Sequence, residues 1–106
     1  MRTVEYLDSQ GRSPFARWFD RLDAIAAAKV AISIGRIEQG NLSNVKSVGQ
    51  GVHEYRINFG PGYRIYFGFD GDELVILLAG GSKNRQPDEI EDAHRRWLDY
   101  KKRKSQ

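Results

Sequence analysis

Apolar positions in the first part of the chain have the spacing of one strand followed by two helices. Val4 and Tyr6 alternate with polar residues, which predicts a short strand at the N-terminus. Ser13 precedes Pro14, the usual order of a helix N-cap and a first helical residue. The next apolar residues recur at positions i, i+3, i+4 and i+7 and form one stripe: Phe15, Trp18, Phe19 and Leu22.

A second helix is predicted between Asp23, which can cap its N-terminus, and Gly40, a residue typical of helix C-termini. Lys29 and Arg36 lie away from its apolar stripe, and we expect both to be solvated. The following segment, GNLSNVKSVGQG, is rich in glycine and small polar residues and is predicted to be a loop. The expected buried face of the helix consists of Ala27, Val30, Ala31, Ile34 and Ile37.

Three further strands are predicted in residues 51–79, which are interrupted by GPG at 60–62 and by DG at 70–71. The DG pair is a strong signal for a hairpin with a two-residue loop. At the first turn, a three-residue loop matches apolar residues with one another, whereas a two-residue loop would place Phe59 on the face of Arg64. Because a slip of one residue moves every side chain to the other face, this match selects the three-residue loop. The predicted pairs are Phe59 with Tyr63, Ile57 with Ile65, and Tyr55 with Phe67.

The opposite face of this hairpin is predicted to be polar and cationic. It carries Glu54, Arg56 and Asn58 on one strand and Gly68, Tyr66 and Arg64 on the next. A two-residue turn at DG would place Leu74, Ile76 and Leu78 on the core face, and Val75 and Leu77 on the polar face. Since the last strand is apolar on both faces, we expect it to lie inside the sheet rather than at an edge.

A final helix is predicted to begin near Pro87, with Asp88 and Glu89 in its first turn. The chain ends with a basic run, and this acid-first, base-last order suits the helix dipole. The residues expected to be buried by this helix are Ile90, Ala93 and Trp97.

The predicted register brings three cations to one end of the polar face. Arg56 and Arg64 lie on neighbouring strands, and Lys83 follows the last strand. Gly80 and Gly81 would allow a backbone turn that aims the lysine back over this face. The planar fork of arginine and the point charge of lysine suit a phosphodiester, so these three cations are the candidate catalytic residues.

Tyr66 offers a ring on which an RNA base can stack. The full set of candidates for contacts with RNA near these cations is Tyr63, Tyr66, His53 and Arg85. For Arg56 and Arg64 an alternative to phosphate binding stays open. An arginine on an exposed strand face is usually solvated or paired with a neighbour such as Glu54.

The composition of the chain restricts the number of domains and the kinds of partner and cofactor that we expect. A chain of 106 residues with 40% apolar content has room for one compact domain, residues 1–106. Its 17 Lys and Arg against 14 Asp and Glu give a net charge of +3, which favours an anionic partner such as nucleic acid. The sequence has no cysteine, and its two histidines have no neighbours at metal-ligand spacing, so we expect no metal and no cofactor. No apolar segment approaches ~20 residues, which predicts a cytoplasmic protein with no membrane partner.

Four stretches of the chain carry a family resemblance: SPFARWFDRLD, RIEQGNLSNVKSVGQGVHEYRINFGPGYRIYF, LLAGGSKNRQPDEI and DAHRRWLDY. The chain resembles the toxins of the RelE/ParE superfamily and, within it, the HigB-like addiction module killer group, which includes phage-derived proteins. The resemblance implies an α+β RelE-like fold. In that fold an N-terminal helical hairpin packs on a mostly antiparallel twisted sheet, and a C-terminal helix follows.

The resemblance also implies the toxin of a type II toxin–antitoxin module. Its cognate antitoxin, of the helix-turn-helix type, would be encoded by the adjacent gene. RelE-like members are endoribonucleases that cleave messenger RNA on the ribosome, whereas ParE-like members inhibit DNA gyrase without catalysis. A non-toxic, phage-related RNA-binding module is a third alternative.

In the cleaving toxins, basic residues replace the histidine pair of an ordinary ribonuclease. By position, Arg56, Arg64 and Lys83 resemble those basic residues. The sequence departs from the pattern at Asn58, where such toxins tend to have a second cation, and at Ser82, where this group often has aspartate. It also lacks the tyrosine that some RelE-like toxins have after the last strand.

Overall fold

The computed structural model describes residues 1–106 and contains one mixed sheet of five strands with helices on both faces. The strand order is β1-β5-β4-β3-β2; β1 is parallel to β5, and the other pairs are antiparallel. The elements are β1 (Arg2–Glu5), α1 (Pro14–Phe19), α2 (Ala24–Glu38), β2 (Val45–Ser47), β3 (Val52–Ile57), β4 (Tyr63–Asp70), β5 (Leu74–Ser82), a 3₁₀ turn (Lys83–Arg85) and α3 (Gln86–Lys104). This architecture confirms the α+β prediction and is compatible with a RelE-like fold. None of the helices combines the length and the apolar character needed to cross a bilayer.

Capping side chains set the N-termini of the two N-terminal helices, as predicted. The amide of Ala16 donates to Ser13 Oγ over 3.0 Å, and the amide of Ala26 donates to Asp23 Oδ1 over 2.8 Å. After α2, Gly40 has a φ of 79°, the left-handed conformation that glycine adopts most easily.

The buried face of α2 differs in part from the predicted stripe. Val30 and Ile37 are buried as expected, whereas Ala31 is exposed and Ser33 is buried. Burial of this serine is tolerated because its hydroxyl donates to the carbonyl of Lys29 over 2.9 Å. The buried residues of α2 are Ala26, Val30, Ser33 and Ile37.

The loop between β3 and β4 is longer than predicted. It covers residues 58–62, and two of its glycines, Gly60 and Gly62, have positive φ angles of 57° and 80°. The pairs are therefore Ile57 with Tyr63, Arg56 with Arg64, and Tyr55 with Ile65. This slip of two residues leaves every side chain on its predicted face, because side chains alternate with a period of two.

The register between β4 and β5 was predicted wrongly. The loop covers residues 71–73 rather than two residues, and the register shifts between Tyr66 and Phe67, leaving Leu78 as an extra residue on β5. The odd-length loop exchanges the two faces of β5. Val75 and Leu77 pack beneath α1 and α2, whereas Leu74, Ile76 and Leu78 pack beneath α3. The expectation that β5 lies inside the sheet is confirmed, since β1 and β4 flank it.

A second correction concerns the segment after α2. Val45–Ser47 forms the edge strand β2, where a loop was predicted. Lys46 pairs with Glu54 and Ser47 pairs with His53 on β3. Hydrogen bonding to β3 overrides the weak strand propensity of this polar segment.

Two adjacent glycines near the end of β5 make room for side chains on both faces of the sheet. Neither Gly80 nor Gly81 has a positive φ, so they do not form the hinge expected from the sequence. A Cβ at Gly80 would lie 2.0 Å from the Trp18 ring, and a Cβ at Gly81 would lie 1.8 Å from the Glu89 carboxylate. The glycine pair therefore lets α1 and α3 approach β5 closely from opposite sides.

We predict that Gly80→Ala lowers the free energy of unfolding by about 1–3 kcal/mol, because the added methyl overpacks the contact with Trp18. Gly35→Ala is the matched control. Gly35 lies inside α2 with no atom within 4 Å of a built Cβ, so alanine should stabilise the helix by up to about 1 kcal/mol. Urea unfolding measures both changes, and equal effects would contradict the packing role of Gly80.

Candidate functional site

A buried carboxylate forms the centre of the polar sheet face. Glu54 on β3 is 0% exposed. Arg64 Nε lies 3.6 Å from Glu54 Oε1, and Lys46 Nζ and Arg56 Nε each lie 3.9 Å from Glu54 Oε2. Strand pairing produces this cluster, since Lys46 is directly opposite Glu54, and Arg56 is directly opposite Arg64. Three cations therefore compensate one carboxylate that water does not reach.

The beginning of α3 covers the cluster. Gln86 Nε2 donates to Glu54 Oε1 over 2.5 Å. Arg64 is only 5% exposed and Tyr66 is fully buried, so the polar face predicted as an exposed surface lies inside the protein. The physical reason is that Glu54 neutralises the charge of Arg64, which allows α3 to pack over both residues.

Several polar atoms in this covered region have no hydrogen-bond partner within the protein. They are Glu54 Oε2, Arg64 Nε, Tyr66 Oη and Glu89 Oε1. Burial raises the pKa of Tyr66, and the nearby charges of Glu54 and Glu89 raise it further. The phenol therefore stays protonated. Because it is buried, the Tyr66 ring does not present a face on which an RNA base can stack, as the sequence had suggested.

Glu89 on α3 is a second carboxyl group with an altered environment. Its carboxylate lies against Gly81, which pairs with Arg64 in the sheet. Desolvation is the largest cause that raises the pKa of Glu89 to about 7, with a contribution from Asp92, while Arg85 opposes the shift. A carboxyl that titrates near neutral pH can both accept and donate a proton under physiological conditions. From the sequence, Glu89 was predicted only as an acidic residue in the first turn of a helix.

The three predicted catalytic cations are brought to the same end of the sheet, although their surroundings differ. Arg56 is half exposed, with 51% of its side chain accessible, whereas Arg64 is buried. Lys83 is exposed in the 3₁₀ turn, and its main-chain amide donates to the carbonyl of Gly62 over 2.9 Å. Arg85 is exposed in the same turn. Arg56 and Lys83 are the two predicted catalytic cations that solvent reaches.

Two of the predicted RNA-binding residues lie on the other face of the sheet. The His53 ring centroid is 5.8 Å from that of Phe67, and the Tyr63 centroid is 6.2 Å from that of Trp18. Strand alternation separates these odd-numbered residues from Arg56 and Arg64. Burial lowers the pKa of His53. His53 and Tyr63 therefore do not join the cation cluster.

Glu54 as an organising group and Lys46 as a cation of the site were not predicted from the sequence. A signal for Glu54 was present, because it is an acidic residue on the same predicted face as Arg56 and Arg64. Lys46 was missed because its segment was assigned to a loop. No group of three or more His, Cys, Asp or Glu side chains is arranged to hold a metal ion.

We predict that Arg64→Met lowers the free energy of unfolding by about 3–5 kcal/mol, because it leaves the Glu54 carboxylate buried without its closest cation. The double variant Glu54→Met/Arg64→Met should lose less than the sum of the two single losses. Arg56→Met is the control, with an expected loss below about 1 kcal/mol because its pair with Glu54 is half exposed. Urea melts that give additive losses for Glu54 and Arg64 would contradict this coupling.

The raised pKa of Glu89 predicts a specific dependence of stability on pH. Between pH 4.5, its ordinary pKa, and about 7, its pKa in the folded protein, the folded state binds more protons than the unfolded state. Stability due to Glu89 therefore falls as pH rises through this window and is constant above it. Compared with wild type, Glu89→Gln should gain about 1–3 kcal/mol at pH 8 relative to its difference at pH 4, after allowance for partial exposure. A stability difference that does not vary with pH would refute the shift.

Comparison with known proteins shows the family of the chain. The family described as "Phage derived protein Gp49-like" matches residues 17–97, which include Lys46, Glu54, Arg64, Lys83 and Glu89. A relative from Haemophilus influenzae, named "Uncharacterized protein", is 41% identical over 80 residues, which cover 74% of this chain and 81% of the relative. The chain belongs to the family of Gp49-like phage-derived proteins.

Proposed function

We propose that the chain is the toxin of a type II toxin–antitoxin module and acts as an endoribonuclease on messenger RNA held by the ribosome. The observation that carries this proposal is the strand pairing of Arg56 with Arg64 and of Arg64 with Gly81, two residues before Lys83. This pairing brings the three residues that resemble the basic site of RelE-like toxins to one end of the sheet. Membership of the phage-derived family supports the same assignment.

The proposed reaction is transesterification within the RNA. The 2′-oxygen attacks the adjacent phosphorus in line, and the bond from phosphorus to the 5′-oxygen of the next nucleotide breaks. The products are a 2′,3′-cyclic phosphate and a 5′-hydroxyl. Arg56 binds the phosphate, and the ammonium group of Lys83 donates a proton to the departing 5′-oxygen. The ribosome supplies the in-line orientation of the message.

Glu89 supplies the general base, a role for which the cationic side chains of the site are unsuited. As a carboxylate it accepts the proton of the attacking 2′-hydroxyl. Burial raises the pKa of Glu89 to about 7 in the described conformation, and hydration on movement of α3 lowers this pKa and increases the ionised fraction. Arg64 stabilises the phosphorane charge from its position beside Gly81. Direct contact between Arg64 and phosphate requires the first turn of α3 to move, because Arg64 is 5% exposed beneath Gln86 and Glu89.

The proposed partner is a cognate antitoxin of helix-turn-helix type encoded by the adjacent gene.

One observation favours a non-catalytic alternative, in which the chain inhibits DNA gyrase as ParE-like toxins do. Arg64 is already paired with Glu54, so it is not free to meet a phosphate in the described conformation. A phage-related RNA-binding module without toxicity is the remaining alternative.

Induced expression in a bacterial host, followed by mapping of message 5′ ends, tests the proposal. We expect new 5′ ends within codons at the ribosomal A site, and a loss of at least about 100-fold in cleavage rate for Glu89→Gln, the usual range for a general base. Lys83→Ala should also reduce cleavage, whereas Lys102→Ala, an exposed lysine at the other end of α3, should not. If messages stay intact and the protein inhibits gyrase in a purified supercoiling assay, gyrase inhibition would replace the ribonuclease assignment. Intact messages with active gyrase would favour the non-toxic module.

A further inference from the structure

A small cleft lies between α2 and the end of β3, on the edge of the sheet beyond β2. Its volume is about 270 Å³, far above the ~10–15 Å³ that a cavity needs to hold one water molecule. It is lined by three cations, Lys29, Arg36 and Arg56, and by the amide side chains of Asn44 and Asn58. No aspartate or glutamate is among its lining residues.

The two helix cations of this cleft have no carboxylate partner. The protein has six ion pairs, and neither Lys29 nor Arg36 takes part in any of them. Both side chains are exposed. Lys29 Nζ lies 5.2 Å from the ring centroid of Phe59, a cation–π contact that holds the ammonium group over the cleft. The cleft therefore concentrates positive charge that the protein itself does not neutralise.

Arg56 connects this cleft with the candidate functional site. Its Nε atom lies 3.9 Å from Glu54 Oε2, and the residue also lines the cleft. β2 pairs with β3 only as far as Val45 opposite Tyr55, and the Arg56 amide donates to the carbonyl of Asn44 over 3.2 Å. Beyond this point no strand covers the edge of β3. A chain-like ligand that contacts Arg56 can continue over the sheet edge to Lys29 and Arg36.

We infer that this cleft binds backbone phosphates of a single RNA strand, as an extension of the site at Arg56. The inference rests on the proposed function for the choice of RNA as the polyanion. The cleft itself is defined by the two unpaired cations Lys29 and Arg36 and by the absence of carboxylates among its lining residues. Arginine and lysine bind phosphate through charge-assisted hydrogen bonds, and the two asparagine amides offer further donors. Contacts of this kind bind the strand without selecting its sequence.

Fluorescence anisotropy with a labelled single-stranded oligouridylate of about 12 nucleotides tests the inference, using the full chain without ribosomes. The double variant Lys29→Ala/Arg36→Ala should lose two phosphate contacts. Each contact contributes ~0.7 to the slope of log affinity against log salt, so the slope should fall by ~1.4, with a loss of affinity of about tenfold near 150 mM salt. Alanine suits the helix, so the melting temperature should be retained. Lys29→Gln/Arg36→Gln repeats the test if the alanine variant is unstable.

The matched control is Arg17→Ala/Lys102→Ala, which removes the same charge from exposed positions outside the cleft. An equal fall in slope for this control would show that net charge alone governs binding and would overturn the inference. RNA binding that is unchanged in both double variants would also overturn the inference. If Lys29→Ala/Arg36→Ala loses as much affinity for duplex DNA as for the oligouridylate, the assignment to a single strand is rejected. The readout is independent of cleavage. If the cleft variant loses RNA binding while the wild-type protein leaves cellular messages intact, the cleft assignment stands and the ribonuclease assignment fails. If the cleft variant binds RNA normally while the wild-type protein cleaves messages, the ribonuclease assignment stands and the cleft assignment fails.

Discussion

The buried carboxylate of Glu54 is the constraint on which the arrangement of the polar sheet face depends. A charge without access to water is tolerated only when opposite charges and hydrogen bonds compensate it. The compensating groups come from three other elements: Lys46 from β2, Arg64 from β4 and Gln86 from α3. Arg56 on β3 itself adds a fourth contact. One carboxylate thus fixes the edge strand, the central hairpin and the start of the C-terminal helix relative to one another.

This compensation limits how the cations can act on a ligand. A cation paired with a buried carboxylate contributes less net charge to an incoming phosphate than a free one. Arg64 is in that position and is buried, whereas Arg56 shares Glu54 but is half exposed. Lys83 reaches solvent, and Lys29 and Arg36 have no acidic partner. The anion-binding capacity of this end of the protein therefore lies around the covered cluster, at the sheet edge and in the turn after β5.

Local signals predicted the three helices and every strand except β2, which was predicted as a loop. The sheet register required information that the sequence pattern does not contain. Caps at Ser13 and Asp23 identified both N-terminal helices because each acts within one turn. The β3–β4 slip preserved the faces, but the longer loop between β4 and β5 exchanged the faces of residues 74–78, and the extra residue at Leu78 restored the predicted faces beyond it. The pattern placed Arg56, Arg64 and Lys83 at one sheet end correctly. It could not show that α3 covers Arg64, because a polar face looks the same whether a helix or water lies over it.

The position of α3 links exposure of the cation cluster with the protonation of Glu89. Gln86 and Glu89 both lie in the first two turns of this helix, one bonded to Glu54 and the other packed on Gly81. Displacement of these turns would break the Gln86 bond and hydrate Arg64. It would also hydrate Glu89, and because desolvation is the largest cause of its raised pKa, that pKa would fall towards its ordinary value. The same movement that frees the arginine for an anion therefore converts Glu89 to its basic, ionised form at neutral pH.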